Sequence, residues 1–384
     1  MKVAVTTLAF CVTSLLALGL VMLYSASMVM VDKHTHSEIG AQMLQMQLLW
    51  CVLGFVACVA LAAIDYAILK RFVWPAYIGS LFMAALVFEK HIGVNFNHAY
   101  RWVRVPGATF QPSEMVKITL IMVLAWYGDW SQRKMNTIKR GILVPGIIIA
   151  AALVLIFIEP DRGTTILLAA VSSTMLMMAG VRWLHIIPPV LVAGAALAWS
   201  LMHDSMPSNR IAAWLHPDAH ASGVAMQAEQ AKIAIGSGGL TGLGLGDGLQ
   251  KHGFVSEIQS DFIFANIGEE LGLVATLLVV LAFLLIAVCG IFIALHARER
   301  FGSLLAFGVA ALVSFQALIN IGVVTSLLPN KGLALPFISA GGSSLVAMLA
   351  GVGILLSVAR RAGPVKISAS DFVTDENPFA AKAT

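Results

Sequence analysis

Charge is scarce in this chain. Only 11% of its 384 residues are Asp, Glu, Lys or Arg, while 59% are hydrophobic. A soluble domain carries roughly a quarter charged residues, so a water-soluble globule is excluded and the bilayer is the solvent that fits. The net charge of +4 is too small and too scattered for a nucleic-acid partner. Cysteine is equally thin. Cys11, Cys51, Cys58 and Cys289 all lie in apolar runs, where a thiol behaves as a small hydrophobe. No paired spacing of Cys or His marks a disulfide framework or a zinc site. Internal repeats of the kind that mark many secondary transporters are missing too.

What is present is apolar length. A spanning helix needs ~20 apolar residues. Ten stretches are candidates: 4–25, 45–64, 72–88, 113–128, 141–158, 163–180, 184–202, 262–294, 303–328 and 342–360. The expected fold is an all-α polytopic membrane protein of about ten transmembrane helices. The first run starts after Lys2 and reaches Ser27; it is long enough to span and reads as a retained helix, not a signal peptide. The fourth is weakened by Glu114 and Lys117. The eighth carries Glu269 and Glu270 near its start and is expected to tilt or to project beyond the lipid.

Loop charge sets the orientation. With the N-terminus in the cytoplasm, the inner segments hold Lys2, Lys70, Arg71, Arg133, Lys134, Lys139, Arg140, Arg182, Arg298, Arg300, Arg360 and Arg361. The C-terminus then also faces the cytoplasm. Residues 1–362 form the integral domain, with a large outside loop over 203–261 between helices 7 and 8. Residues 363–384 read as a disordered cytoplasmic tail.

The unusual residues gather on the outer face. Arg101-Trp102 precedes Gln111-Pro112-Ser113-Glu114 and Lys117. Pro112 and Ser113 suit a helix start, and Glu114 suits the positive end of its dipole. Lys117 reads equally as the partner of Glu114 at i,i+3 or as a cation for an anionic lipid head. Glu159-Pro160-Asp161-Arg162-Gly163 breaks the chain between two helices, with Asp161 as a cap. Gly236 to Gly248 lacks the strand-and-helix context of a dinucleotide loop and reads as turn chemistry. Glu257 and Asp261 stand four apart at the mouth of the eighth helix. Spacing alone favours Ser260 and Asp261 as N-cap residues. Between Pro329 and Ser344, Pro and Gly break the helix at membrane depth. That makes either a re-entrant packing element or a polar cavity floor with Lys331 facing anions.

These motifs, in this order, resemble the SEDS family (shape, elongation, division and sporulation), and within it the FtsW-like division branch more than the RodA branch. The matching stretches run from Leu18 to Arg361. They include Tyr24-Ser25-Ala26-Ser27, Pro160-Asp161 with Gly163-Thr164, Gln227 and Gln230, Gly242 to Lys251, Asp261-Phe262-Ile263-Phe264 with Gly268-Glu269-Glu270, Asn320-Ile321-Gly322, and Lys331 to Ser344. The resemblance implies a peptidoglycan glycosyltransferase that polymerises lipid II at the outer face of the bacterial inner membrane, in septal wall synthesis. It places the essential acid on Asp261. It implies a class B penicillin-binding transpeptidase and other division proteins as partners, and no organic cofactor.

An inverting displacement at C1 of a lipid-diphosphate sugar needs one base, because the leaving diphosphate is already acidic; glycosidases need a pair of carboxyls. Asp261 takes that role. Arg101, Lys117, Arg210 and Lys331 are the cations expected to meet the diphosphate, with a divalent ion, Mg²⁺ or Mn²⁺, as a further possibility. Glu257, Gln227 and Ser343 are expected beside the substrate. Glu257 either orients Asp261 or repels it and raises its pKa. Glu114, Asp161 and Glu269 are expected as supports. The chain departs from the family at Ser256-Glu257-Ile258-Gln259-Ser260, Gly253, Ala340 and Met226. Two alternatives stand beside the enzyme: a lipid II flippase or other lipid carrier, and a catalytically weak division scaffold.

Overall fold

The structure is a computed structural model that describes residues 1–27, 39–89, 93–96, 99–105, 108–203, 214, 224–251 and 258–362. Its helices are α1 (Lys2–Ser27), α2 (Ile39–Ala63), α3 (Tyr66–Ala85), α4 (Pro112–Trp130), α5 (Val144–Ile158), α6 (Arg162–Met178), α7 (Trp183–His203), α8 (Val224–Ser237), α9 (Ile263–Leu295), α10 (Arg300–Val324) and α11 (Gly342–Arg360). Each apolar stretch in the sequence coincides with a helix. Among the described residues, seven helices are long and apolar enough to cross a membrane: α1, α2, α3, α5 with the turn before it, α9, α10 and α11. α6 and the apolar part of α7 are shorter. α4 carries Glu114, Lys117 and Asp129 along its length.

The all-α expectation needs correction in one place. Residues 93–110 form a three-stranded antiparallel sheet: β1 (Gly93–Phe96), β2 (Ala99–Val105) and β3 (Ala108–Phe110). β2 pairs Val103 with Phe110 and Val105 with Ala108, which leaves only Pro106-Gly107 between the strands. β2 itself, Ala-Tyr-Arg-Trp-Val-Arg-Val, is rich in the aromatic and β-branched residues that suit a pleated surface. The sheet sits between α3 and α4 in the chain and presents Arg101. The large loop also contains a helix of its own, α8.

α10 and α11 are mostly buried and form the centre, while α2 is largely exposed at the edge. α11 lies so close to α2 that a Cβ on Gly353 would stand 2.4 Å from the Cys58 carbonyl oxygen. Small residues give helices this approach, and dispersion then replaces the hydrophobic drive that lipid cannot supply. Phe10, Phe55, Phe82 and Leu284 point outward, as lipid-facing side chains should. α9 is 33 residues long, about 50 Å at 1.5 Å per residue, well beyond a hydrocarbon core of ~30 Å. It breaks at Gly272, where φ is 76°. The acidic pair therefore sits in a short N-terminal limb and not in a tilted span.

Candidate functional site

Asp261 lies at the entrance of α9, one residue before its N-cap position. The N-cap is Phe262, whose own side chain makes no capping bond. The N-cap position thus falls one residue after Asp261, not on the Ser260-Asp261 pair that spacing favours. Their backbone is held from outside the helix. Three successive carbonyls are taken by donors from elsewhere: Gln259 O accepts from the Ala340 amide at 2.9 Å, Ser260 O from Ser339 Oγ at 2.5 Å, and Asp261 O from Asn320 Nδ2 at 2.9 Å. Ser339 Oγ also accepts from the Leu335 amide, and Gln47 reaches Ser339 O at 3.4 Å. The broken segment after α10 is thus a packing element and a floor at once. It satisfies the irregular backbone that membrane depth demands while carrying Lys331 and Gly332 beside Asp261.

Behind this floor sits a buried ion pair. Lys117 is 1% exposed and Glu114 5%. Lys117 Nζ lies 2.8 Å from Glu114 Oε1 and 3.1 Å from Gln316 Oε1. Gln316 in turn donates to Ala334 O at 2.9 Å. Lys117 therefore spends its ammonium on α4 and α10, and through Gln316 it supports the floor.

A second group approaches from the sheet. Arg101 donates to Glu159 O at 3.2 Å and to Pro160 O at 2.5 Å. Asp161 caps α6, accepting from the Thr164 amide at 3.0 Å and its hydroxyl at 2.9 Å. Gln111 links this cap to α11: its side chain donates to Asp161 at 3.2 Å and its amide to Ser343 Oγ at 3.4 Å. Glu159, between α5 and α6, is fully buried, and neither carboxylate oxygen has a partner. Burial, and secondarily the charge of Asp161, push its pKa up to about 8 against the opposing pull of Arg101.

The acidic pair of α9 closes a third group. Glu269 accepts from the Leu249 amide at 2.8 Å and from that of Gln250. Glu270 accepts from Ser25 Oγ at 2.7 Å, the Gly246 amide at 3.0 Å and Lys251 Nζ at 2.9 Å. The glycine run supplies the close approach. A Cβ on Gly242, where φ is +83°, would fall 2.1 Å from Glu270 O. Turn chemistry is the right reading of these glycines, and its purpose is to clamp the loop onto the broken helix.

Sequence reasoning anticipated the Asp161 cap, the Lys117–Glu114 pair and a supporting place for Glu269; Arg101 and Ser343, expected beside the substrate, are bonded here to the Glu159 and Pro160 carbonyls and to the Gln111 amide. It missed the roles of Asn320, Gln316, Gln111, Gln47 and the Ser25–Lys251–Glu270 clamp. A charged acid in an apolar stretch usually points to a partner, which was the available signal for the clamp. Arg210 and Glu257 lie outside the described residues. Gln227 sits on α8 and Lys331 on the floor segment, both half-buried. Among the described residues, no three Asp, Glu, His or Cys side chains converge to hold a metal ion.

The comparisons with known proteins agree with this architecture. A probable peptidoglycan glycosyltransferase FtsW of Trichlorobacter lovleyi is 39% identical over 347 residues, 90% of this chain and 91% of that protein. The stage V sporulation protein E of Bacillus subtilis is 36% identical over 348 residues, 90% and 94% of the two chains. The fold matches that of a chain in a peptidoglycan synthase complex that coordinates polymerization and crosslinking, with TM-score 0.74, 23% identity and coverage of 92% and 96%. It also matches a point variant of the Thermus thermophilus rod shape determining protein RodA, with TM-score 0.67, 26% identity and coverage of 93% and 97%. The family model for FtsW, RodA and SpoVE cell cycle proteins matches residues 6–363, and the chain belongs to that family.

Proposed function

We propose that this protein is a peptidoglycan glycosyltransferase that polymerises lipid II at the outer face of the bacterial inner membrane. The observation that carries the reading is Asp261: a carboxylate at a helix mouth, beside Gly332 of the broken segment, on a backbone anchored at three successive carbonyls. In this reading ten helices span, both termini are cytoplasmic, and the sheet, α8 and the 329–341 segment face the periplasm. The FtsW relatives support a place at the division septum. The synthase-complex neighbour supports a class B penicillin-binding transpeptidase as partner.

Asp261 accepts the proton of the acceptor 4-hydroxyl as that oxygen bonds to C1 of the donor sugar. The C1–O bond to the diphosphate breaks in the same in-line step, inverting the carbon. Lys331, beside Asp261, and Arg101, over the α5–α6 turn, meet the charge that grows on the departing diphosphate. Lys117 acts from behind as structure. A Mg²⁺ or Mn²⁺ ion would arrive on the substrate's own phosphates, where Mg²⁺ is usually held.

The test is gel-resolved polymerisation of labelled lipid II by the purified protein with its transpeptidase partner. Asp261→Asn should insert and fold yet form no glycan chains; chains of normal length from that variant would falsify the base assignment. In liposomes, movement of the lipid head without chain growth would instead identify a carrier.

A further inference from the structure

We infer that Gly332 and Asn320 are positioning residues for the Asp261 carboxylate, holding it from opposite sides; the inference rests on the reading of Asp261 as the base. Asn320 works from behind. Its side chain is 1% exposed, and Nδ2 donates to Asp261 O at 2.9 Å and to Leu333 O at 2.6 Å. An amide nitrogen has two hydrogens, and both are spent. The rotated amide would set an oxygen against two carbonyls, so the orientation follows from the partners. This one side chain therefore ties the α9 entrance to the strand of chain that carries Lys331 and Gly332. With the carbonyls of Gln259 and Ser260 also anchored, the backbone of Asp261 has little freedom.

Gly332 works from the front. It lies at the exposed lip of the floor segment. A Cβ there would stand 2.8 Å from Asp261 Oδ2 and 3.6 Å from its Cγ. Nothing else within 4 Å stands closer than 3.8 Å to that position, the third neighbour being Asp261 Oδ1. The missing side chain at 332 is thus what leaves Oδ2 its place. The backbone at 332 is not left-handed, since it is absent from the positive-φ glycines. Alanine fits it without strain, and the only thing that must yield is the flexible end of Asp261. Gly332→Ala is consequently a displacement of the base with no expected cost in folding. The nearest cation in the same segment is Lys331. Gln316 and Asn320 of α10 are neutral, and the Lys117–Glu114 pair of α4 lies behind Gln316.

The experiment compares wild type, Gly332→Ala, Asn320→Leu and Asp261→Asn in lipid II polymerisation with the transpeptidase partner, across substrate concentration and pH. Gly332→Ala should keep the wild-type melting temperature and a KM within about twofold, while kcat falls roughly tenfold or more, as for a misplaced catalytic group. The added methyl also shields the carboxylate from water, which raises a carboxyl pKa. The acidic limb of kcat/KM, which reports the free enzyme's base, should therefore move up by about half a unit. A purely structural glycine would move neither kcat alone nor that limb. Asn320→Leu keeps the volume but removes both donors, and should lower kcat in the same way. If Asn320→Leu fails to fold, Gly332→Ala decides alone. Wild-type kcat and pH limb in Gly332→Ala, beside an inactive Asp261→Asn, overturn this inference only. Polymerisation by Asp261→Asn removes the base reading and this one with it.

Discussion

Replacing Lys117 with Met leaves the Glu114 carboxylate buried without its cation. In the native protein Lys117 Nζ sits 2.8 Å from Glu114 Oε1, both side chains almost fully enclosed. Glu114 Oε2 has no other partner to fall back on. Removing one member of such a pair costs about 3–5 kcal/mol, because the surviving charge keeps its desolvation penalty and loses its compensation. Removing both together, as Lys117→Met with Glu114→Gln, should restore stability to within about 1 kcal/mol of wild type, since well-packed neutral replacements of buried pairs are often neutral or better. The assay is reversible unfolding in mixed micelles of all four members of the cycle, followed by polymerisation on those that fold. The coupling should appear in stability, and the double variant should keep its KM for lipid II. A single variant as stable as wild type would refute the ion-pair argument. A stable double variant whose KM has risen tenfold would show that Lys117 touches the lipid head after all.

Two further outcomes follow from the other groups. Glu159 has its folded-state pKa near 8 against an ordinary 4.5, so between those values the folded protein holds a proton that the unfolded chain releases. Stability then falls as pH rises through that window, with the penalty complete above about 8. Glu159→Gln should flatten the wild-type decline in melting temperature between pH 5 and 8.5, and parallel curves for the two proteins would refute the burial argument. Gly242→Ala would drive a Cβ to 2.1 Å from Glu270 O at a φ of +83°. It should release the glycine run from α9, read as rapid proteolysis between α8 and α9; wild-type resistance would show that the clamp does not depend on that approach.

Much of this molecule could be read in advance, and the physical reason differs by part. An apolar run of spanning length has one good solution in lipid, so every helix but α8, which lies inside the large loop, was legible. The sheet was not, because 93–110 lies outside any such run, and a Pro-Gly dipeptide in the sequence suggests a reversal without saying what pairs across it. The clamp was half legible: Glu270 announced a buried charge, but Ser25 lies 245 residues away in sequence and no local rule selects it. Asp261 shows the limit most clearly. By local chemistry it is a good N-cap residue, yet α9 takes its N-cap one residue later, at Phe262. The shift is made by tertiary donors. Asn320, Ser339 and Ala340 take the carbonyls of 259–261, so the segment satisfies its backbone without joining the helix. The backbone beneath Asp261 is therefore set by contacts from elsewhere in the fold and not by the helix that follows it. Asn320 stands 59 residues away in sequence, and no rule of local spacing selects it.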